Sequence, residues 1–349
     1  DHAILRDDLY GTTTEPTYAG ALSFMRRKYT RDLKGVDVVV TGVPLDTATT
    51  NRPGARLGPR AIRAASSIMA WEKPYGMATN PFDALAVVDY GDLYFDHGQP
   101  ASVPEQIEAE AFSIIDQDVT LLSLGGDHFV SYPLLRAHAR KFGAPLSLLH
   151  FDAHSDTWEE DGKRIDHGTM LYHAAKEGIV DPASSVQIGI RTTNPDTHGF
   201  NILDAPWVHA NGIDAVVAST RDWLGSRPVY VTFDIDCLDP AFAPGTGTPE
   251  PGGMLTRELL RAVRRIVGSV RLAAMDVVEV APSHDLNGIT CITAGRLLTN
   301  LVGASVRAGH LQRRPDPRET DVRLPVILRV QPRVADPAHG RVHGVVHRQ

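Results

Sequence analysis

Residues 146–156 read LSLLHFDAHSD, an apolar run that closes on an Asp-x-His-x-Asp group. The apolar run is too short for a helix and reads as a strand buried on both faces, as in a parallel sheet. Runs of the same kind recur at 36–43, 85–90, 119–124, 186–190, 229–235 and 272–280. Between them lie helix-like stretches at 59–70, 104–115, 133–142, 169–176, 256–266 and 290–301, the fifth opening with Thr256 as its cap and Glu258 in its first turn. The alternation predicts an α/β fold, a parallel sheet covered by helices on both faces. No Ser/Gly linker interrupts it and no internal repeat is present, so a single domain over 33–308 is expected.

Residues 1–32 are polar and weakly periodic and are expected to wrap the surface. The Arg/Pro-rich stretch 309–349 has no sustained period and is expected to be disordered. The chain has 349 residues with 42 acidic and 35 basic side chains, a net charge of −7 that argues against a nucleic-acid partner and for a cationic small molecule. No run approaches the length of a membrane span, and the start lacks the layout of a signal peptide. Cys237 and Cys291 are too few for a disulfide framework or a thiolate metal site. A cytoplasmic protein without membrane or nucleic-acid partners is therefore expected.

Ionisable residues collect at three strand ends: Gly125-Gly126-Asp127-His128, Asp152-Ala153-His154-Ser155-Asp156 and Asp234-Ile235-Asp236. Ligands of parallel α/β sheets bind outside the carboxyl ends of the strands, so the three groups meet if their strands are neighbours. In an extended chain Asp152, His154 and Asp156 project together, as do Asp234 and Asp236. With His128 they assemble four carboxylates and two imidazoles. Four close carboxylates cannot all ionise near neutral pH unless cations sit among them, and oxygen and nitrogen donors of this kind suit a pair of Mn²⁺-like ions. Such a pair acidifies a shared water into a nucleophile. Asp127 faces away and is read as bracing a loop. His150 lies deeper in its strand and is read as packing or supporting a ligand.

The motifs GGDHFVSYPLLRAH (125–138), LLHFDAHSDT (148–157), IDHGTM (165–170) and TFDIDCLDPAFAPGTGTPEPGG (232–253) resemble those of the ureohydrolases, the family of arginases, agmatinases and guanidinobutyrases, and most of all its agmatinase members. The likeness runs from about residue 36 to 298. It implies a three-layer α/β/α fold with a central, mostly parallel, arginase-like sheet, and two Mn²⁺ per subunit that hydrolyse a guanidinium to urea and an amine. By motif, His128, Asp152, Asp156 and Asp234 hold one ion, and Asp152, His154, Asp234 and Asp236 hold the other. The resemblance makes His167 a proton shuttle and Glu279 the carboxylate facing the substrate guanidinium. It also implies a homo-oligomer, a trimer or hexamer.

Without the resemblance, Glu279 serves equally as an ion-pair partner and His167 as a surface histidine. The loop Trp158-Glu159-Glu160-Asp161-Gly162-Lys163 follows the metal cluster. Its acidic residues repel a carboxylate tail and accept an ammonium tail, and Trp158 covers an alkyl chain. Trp158, Glu159 and Glu160 are thus the expected tail contacts, favouring agmatine as substrate and urea and putrescine as products. A guanidinobutyrase, or another guanidino-acid amidinohydrolase, is the alternative.

Overall fold

The computed structural model describes residues 1–159 and 165–312. Glu160 and nearly all of the Arg/Pro-rich tail fall outside the described residues. Nine strands form one wholly parallel sheet in the order β1-β3-β2-β4-β9-β8-β5-β6-β7. They are β1 Lys28–Tyr29, β2 Val38–Gly42, β3 Val87–Asp92, β4 Thr120–Leu124, β5 Ser147–Phe151, β6 Val186–Ile188, β7 Asn201–Leu203, β8 Pro228–Asp234 and β9 Arg271–Val278. The helices are α1 His2–Leu5, α2 Gly58–Ser66, α3 Pro81–Ala84, α4 Val103–Ile115, α5 Ser131–Phe142, α6 Met170–Lys176, α7 Ala205–Leu224, α8 Thr256–Val267 and α9 Ile289–Arg307.

Alternate strand residues feed two cores, which makes the fold three-layered. Val38, Leu122, Leu149, Val231 and Met275 pack against α2, α7, α8 and α9. Val39, Leu121, Leu148, Tyr230 and Ala274 pack against α4, α5 and α6. Helix α8 shows how the sequence selects its face. Leu259, Ala262, Val263, Ile266 and Val267 are buried at helical spacing, while Arg257 and Arg261 point to solvent. Burying such a row stabilises the fold by roughly 1.5–3 kcal/mol for each large side chain.

Several elements depart from the sequence pattern. Strands β1 and β7 are too short to register as runs, and α7 carries Pro206 at its start and Gly212 in a left-handed kink with φ 73°. Thr256 is not the cap of α8; Leu255 holds that place, and its N–H is satisfied by Glu258 Oε2 at 3.0 Å. The first 32 residues do more than wrap the surface, because Phe24 and Met25 enter the core and β1 extends the sheet. Asp1–Arg314 form one compact unit. Helix α9 is long and apolar enough to cross a membrane by composition, but 78% of its apolar window is buried inside the protein, as for a core helix.

Strands β4, β9, β8 and β5 are consecutive neighbours, and their carboxyl ends carry the residues singled out above. The helix after β4, α5, covers one face while the helix after β8, α8, covers the other, so a crevice opens between them where parallel α/β sheets hold ligands.

Candidate metal centre

Each strand delivers its ligands through a short irregular turn. After β4, Gly125 and Gly126 lead into His128; a β-carbon on Gly126 would collide with the Leu45 carbonyl oxygen, so only glycine lets the 45–48 loop close over this turn. Asp127 braces that loop, as expected: its N–H donates to Leu45 O at 2.7 Å and its Oδ2 accepts from Ala48 N at 2.7 Å. Strand β5 ends at Phe151, so Asp152–Asp156 is not extended. Asp156 is instead turned inward by a left-handed backbone, φ 52°, and Asp236 lies in a 3₁₀ turn spanning Ile235–Cys237. The ligands converge by loop geometry, not by the every-second-residue rule.

His128 Nδ1 stands 3.0 Å from Asp152 Oδ2, 2.8 Å from Asp156 Oδ2 and 3.3 Å from Asp234 Oδ2. His154 Nδ1 stands 3.1 Å from Asp236 Oδ2 and 3.3 Å from Asp152 Oδ1. The six expected ligands therefore form two sets that share Asp152. His150, read from the sequence as packing or supporting a ligand, lies within reach of the first set together with His128, Asp152 and Asp156. Gln187 Nε2 donates to its Nδ1 at 3.1 Å, leaving Nε2–H to donate to Asp152 Oδ2 at 2.8 Å.

The polar groups behind His128 decide which ring nitrogen carries the proton when it is neutral. Asp276, wholly buried, accepts from Ser131 Oγ at 2.7 Å, Tyr230 OH at 2.8 Å and Thr232 Oγ1 at 2.7 Å. The single Thr232 proton is committed to Asp276, so Thr232 Oγ1 accepts from His128 Nε2–H at 2.8 Å. In its neutral form His128 directs the lone pair of Nδ1 at three carboxylate oxygens, and Nδ1 has no hydrogen-bond partner. Burial favours that form, but Asp152, Asp156 and Asp234 push the pKa well above the usual histidine value, so in the metal-free protein Nδ1 takes a proton where a cation would sit. A lone pair aimed at carboxylates repels them unless a cation lies between, which is the donor arrangement of a metal site. Titration behaviour agrees. Burial and then the neighbouring Asp236 and Asp152 push Asp234 well above the usual carboxylate range, and burial and Asp152 raise Asp236. Burial favours neutral His154, but Asp236 and Asp152 outweigh it and lift its pKa to about 12. Without metal, protons supply the positive charge that the cluster requires.

A cavity of about 420 Å³ opens on the ligands, lined by His154, Asp156, Asp234, Thr50, Thr248, Trp158, His167 and Asp166 among others. His167 is buried, not a surface residue: Nδ1 lies 2.8 Å from Glu279 Oε1, and Nε2 lies 3.0 Å from Thr50 N and 2.7 Å from Thr50 Oγ1. Burial of the ring favours its neutral form, but the Glu279 hydrogen bond and the charges of Glu279, Asp156 and Asp127 raise its pKa to about 9. Glu279, in a left-handed conformation with φ 60°, accepts His128 N–H on Oε1 at 2.9 Å and leaves buried Oε2 unpartnered. Trp158, 47% exposed, lines the cavity. Glu159 accepts from Tyr172 OH at 3.4 Å and is not among the lining residues, and Glu160 falls outside the described residues.

The site also uses residues that the sequence reading left without a role: Thr50, Gln187, Thr232, Thr248 and Asp276. Three of them, Gln187, Thr232 and Asp276, are polar residues inside apolar strand runs, and the structure lines them up. Ser123, Asp276, Thr232, His150 and Gln187 are register partners across five strands, a polar row through an apolar sheet.

The model of the arginase family matches residues 36–303. The chain belongs to the arginase family. It is 55% identical over 303 residues to an agmatinase of Chromobacterium violaceum, covering 86% of this chain and 94% of the relative. It is 44% identical to an agmatinase of Proteus mirabilis, covering 83% and 95%. Among solved structures, a hypothetical agmatinase from Burkholderia thailandensis matches with a TM-score of 0.87 at 55% identity, covering 88% of this chain and 98% of that one. Proclavaminate amidino hydrolase from Streptomyces clavuligerus matches at 0.78 and 38% identity, covering 84% and 100%. The chain is thus an agmatinase-like ureohydrolase with the arginase fold, and its acidic and histidine cluster is suited to metal.

Proposed function

We propose that the chain hydrolyses the guanidinium group of agmatine to urea and putrescine with two Mn²⁺ ions. His128, Asp152, Asp156 and Asp234 would hold one ion and Asp152, His154, Asp234 and Asp236 the other, with Asp152 and Asp234 shared. When bound, the pair supplies a hydroxide at neutral pH by acidifying a shared water. The observation that carries the reading is His128 Nδ1 set among three carboxylates, with Nε2–H committed to Thr232 and Asp276, so that Nδ1 is the nitrogen left to bind a cation.

The protein's own residues supply binding and proton transfer. A guanidinium stays protonated at physiological pH and is a poor electrophile, so it has to be fixed in place before water adds. Glu279 offers its free Oε2 for a charge-assisted contact with the guanidinium N–H groups. His167 holds a proton near the reacting carbon and delivers it to the departing amine. Among the described lining residues there is no lysine or arginine to pair with a carboxylate, and Asp166 is an acidic lining residue outside the proposed ligand set, so a cationic tail is favoured over a carboxylate tail. Trp158, which lines the cavity, would cover the alkyl chain, and the negative charge of Glu159 and Glu160, next to it in sequence, would favour an ammonium end.

The reading extends to a homo-trimer or homo-hexamer, which mass photometry tests, and to a cytoplasmic setting, which suits two buried, unpaired cysteines. The deciding assay is urea release by Mn²⁺-loaded protein from agmatine, guanidinobutyrate, guanidinopropionate and arginine. Agmatine is expected to be turned over with the highest kcat/KM. Turnover of arginine or a guanidino acid without turnover of agmatine would contradict it.

A further inference from the structure

The imidazole of His167 has no nitrogen open to the cavity. Nδ1 is occupied by Glu279 Oε1 at 2.8 Å, and Nε2 is occupied by both the backbone N and the hydroxyl of Thr50, at 3.0 and 2.7 Å. The ring is buried, whereas Thr50 is exposed and lines the cavity beside Asp156 and Asp234. Apart from Nδ1, which faces the buried Glu279 carboxylate, the ring can pass a proton toward the cavity without rotating only through Nε2 and Thr50.

The two Thr50 groups are not equivalent. A backbone N–H only donates, so it fixes Nε2 of the neutral ring as an acceptor and places the ring proton on Nδ1, toward Glu279. A hydroxyl both donates and accepts. Beside the neutral ring it donates to Nε2; beside the charged ring it accepts from Nε2–H and its own proton becomes free to point into the cavity, while the backbone N–H at 3.0 Å opposes a proton on Nε2 and so favours its release to Oγ1. Thr50 is also held in place. The Ala48 N–H is tied to Asp127 Oδ2 at 2.7 Å on one side, and Asn51 Nδ2 donates to Gly247 O at 2.9 Å on the other.

We infer that the Thr50 hydroxyl relays the proton from His167 to the leaving amine, an inference that rests on the hydrolysis proposed above. As the bond between the tetrahedral carbon and the amine nitrogen breaks, its electron pair stays on nitrogen. That nitrogen takes the proton of Thr50 Oγ1, and Oγ1 is reprotonated by Nε2–H of His167. The ring ends neutral, the hydroxyl is regenerated and the amine departs uncharged, to be protonated in solvent.

Thr50→Val keeps the shape and the backbone donor but removes the relay, and Thr50→Ser restores a hydroxyl. With agmatine as substrate, Thr50→Val is expected to lose about 10²–10⁴-fold in kcat, the range of general acid catalysis, with KM and manganese content unchanged. Thr50→Ser is expected to stay within about threefold of the parent, because its hydroxyl has the same donor and acceptor capacity. If the two residues act as one path, the double variant Thr50→Val/His167→Ala loses no more than His167→Ala alone. Multiplicative losses, or an unimpaired Thr50→Val, would overturn the relay while leaving the hydrolysis standing. No urea from the unaltered protein would overturn the hydrolysis and the relay with it.

Discussion

Thr232→Val isolates the group that turns His128 into a lone-pair donor. The substitution is close to isosteric, so the buried strand β8 keeps its packing, but two hydrogen bonds disappear at once. His128 Nε2–H loses its acceptor at 2.8 Å and Asp276 Oδ1 loses its Thr232 donor at 2.7 Å, keeping only the longer contact from Phe233 N at 3.4 Å, both in the sheet interior. Each buried group left without its partner costs about 1–3 kcal/mol, giving roughly 2–5 kcal/mol for the pair after relaxation. Asp276 keeps Ser131 Oγ and Tyr230 OH, so part of its cost is contained. For the metal centre, removing the group that orients a ligating histidine lowers affinity by about 10–100-fold. The assay is competition for Mn²⁺ with a fluorescent chelator at pH 7.5, with thermal unfolding of the metal-free protein alongside. Weaker binding of the ion nearest His128, with the other ion affected less, is expected. Unchanged affinities for both ions would refute the argument that Thr232 and Asp276 set the donor.

Asp152→Ala removes the carboxylate shared by both sets and is expected to empty both sites in metal analysis. Glu279→Gln should retain two manganese ions yet lose about 10²–10³-fold in urea release, the scale of a lost electrostatic contact to the reacting group. His138 carries a separate prediction about acid. It is fully buried, with Nδ1 at 2.7 Å from Leu134 O, and burial depresses its pKa to about 4. The unfolded chain binds a proton there at about 6.5, so the unfolded state takes up more protons between the two values. Stability from this residue is complete above about pH 6.5 and falls by up to about 3 kcal/mol as pH drops toward 4. Denaturant unfolding of metal-free protein at pH 7 and pH 4.5 should show His138→Phe losing less over that interval than the parent; an equal loss would contradict the assignment.

The fold was legible wherever a strand is long and buried on both faces. The runs around Val38–Gly42, Ser147–Phe151 and Pro228–Asp234 have few polar interruptions, and the elements follow them within a few residues. It was not legible where an element is short or broken. Asn201–Leu203 offers three residues to a periodicity, and α7 hides behind Pro206 and the kink at Gly212. The candidate ligands stood out in the sequence because carboxylates at strand ends are costly to gather without cations. Their directions were not, because Asp156 and Asp236 are aimed by a left-handed residue and a 3₁₀ turn. The supporting residues Thr232, Asp276 and Gln187 act through register across neighbouring strands, which no single stretch of sequence displays. Burial of His167 depends on Thr50, more than a hundred positions away, and so lay beyond local reading.

The central claim is that two cations belong among these six side chains. Anomalous diffraction from crystals grown with Mn²⁺, collected at the manganese edge, tests it directly. Two peaks are expected, one within bonding distance of His128, Asp152, Asp156 and Asp234 and the other of Asp152, His154, Asp234 and Asp236. No peak in this cluster, or a single peak that leaves His128 Nδ1 or His154 Nδ1 without metal at saturating Mn²⁺, would contradict it.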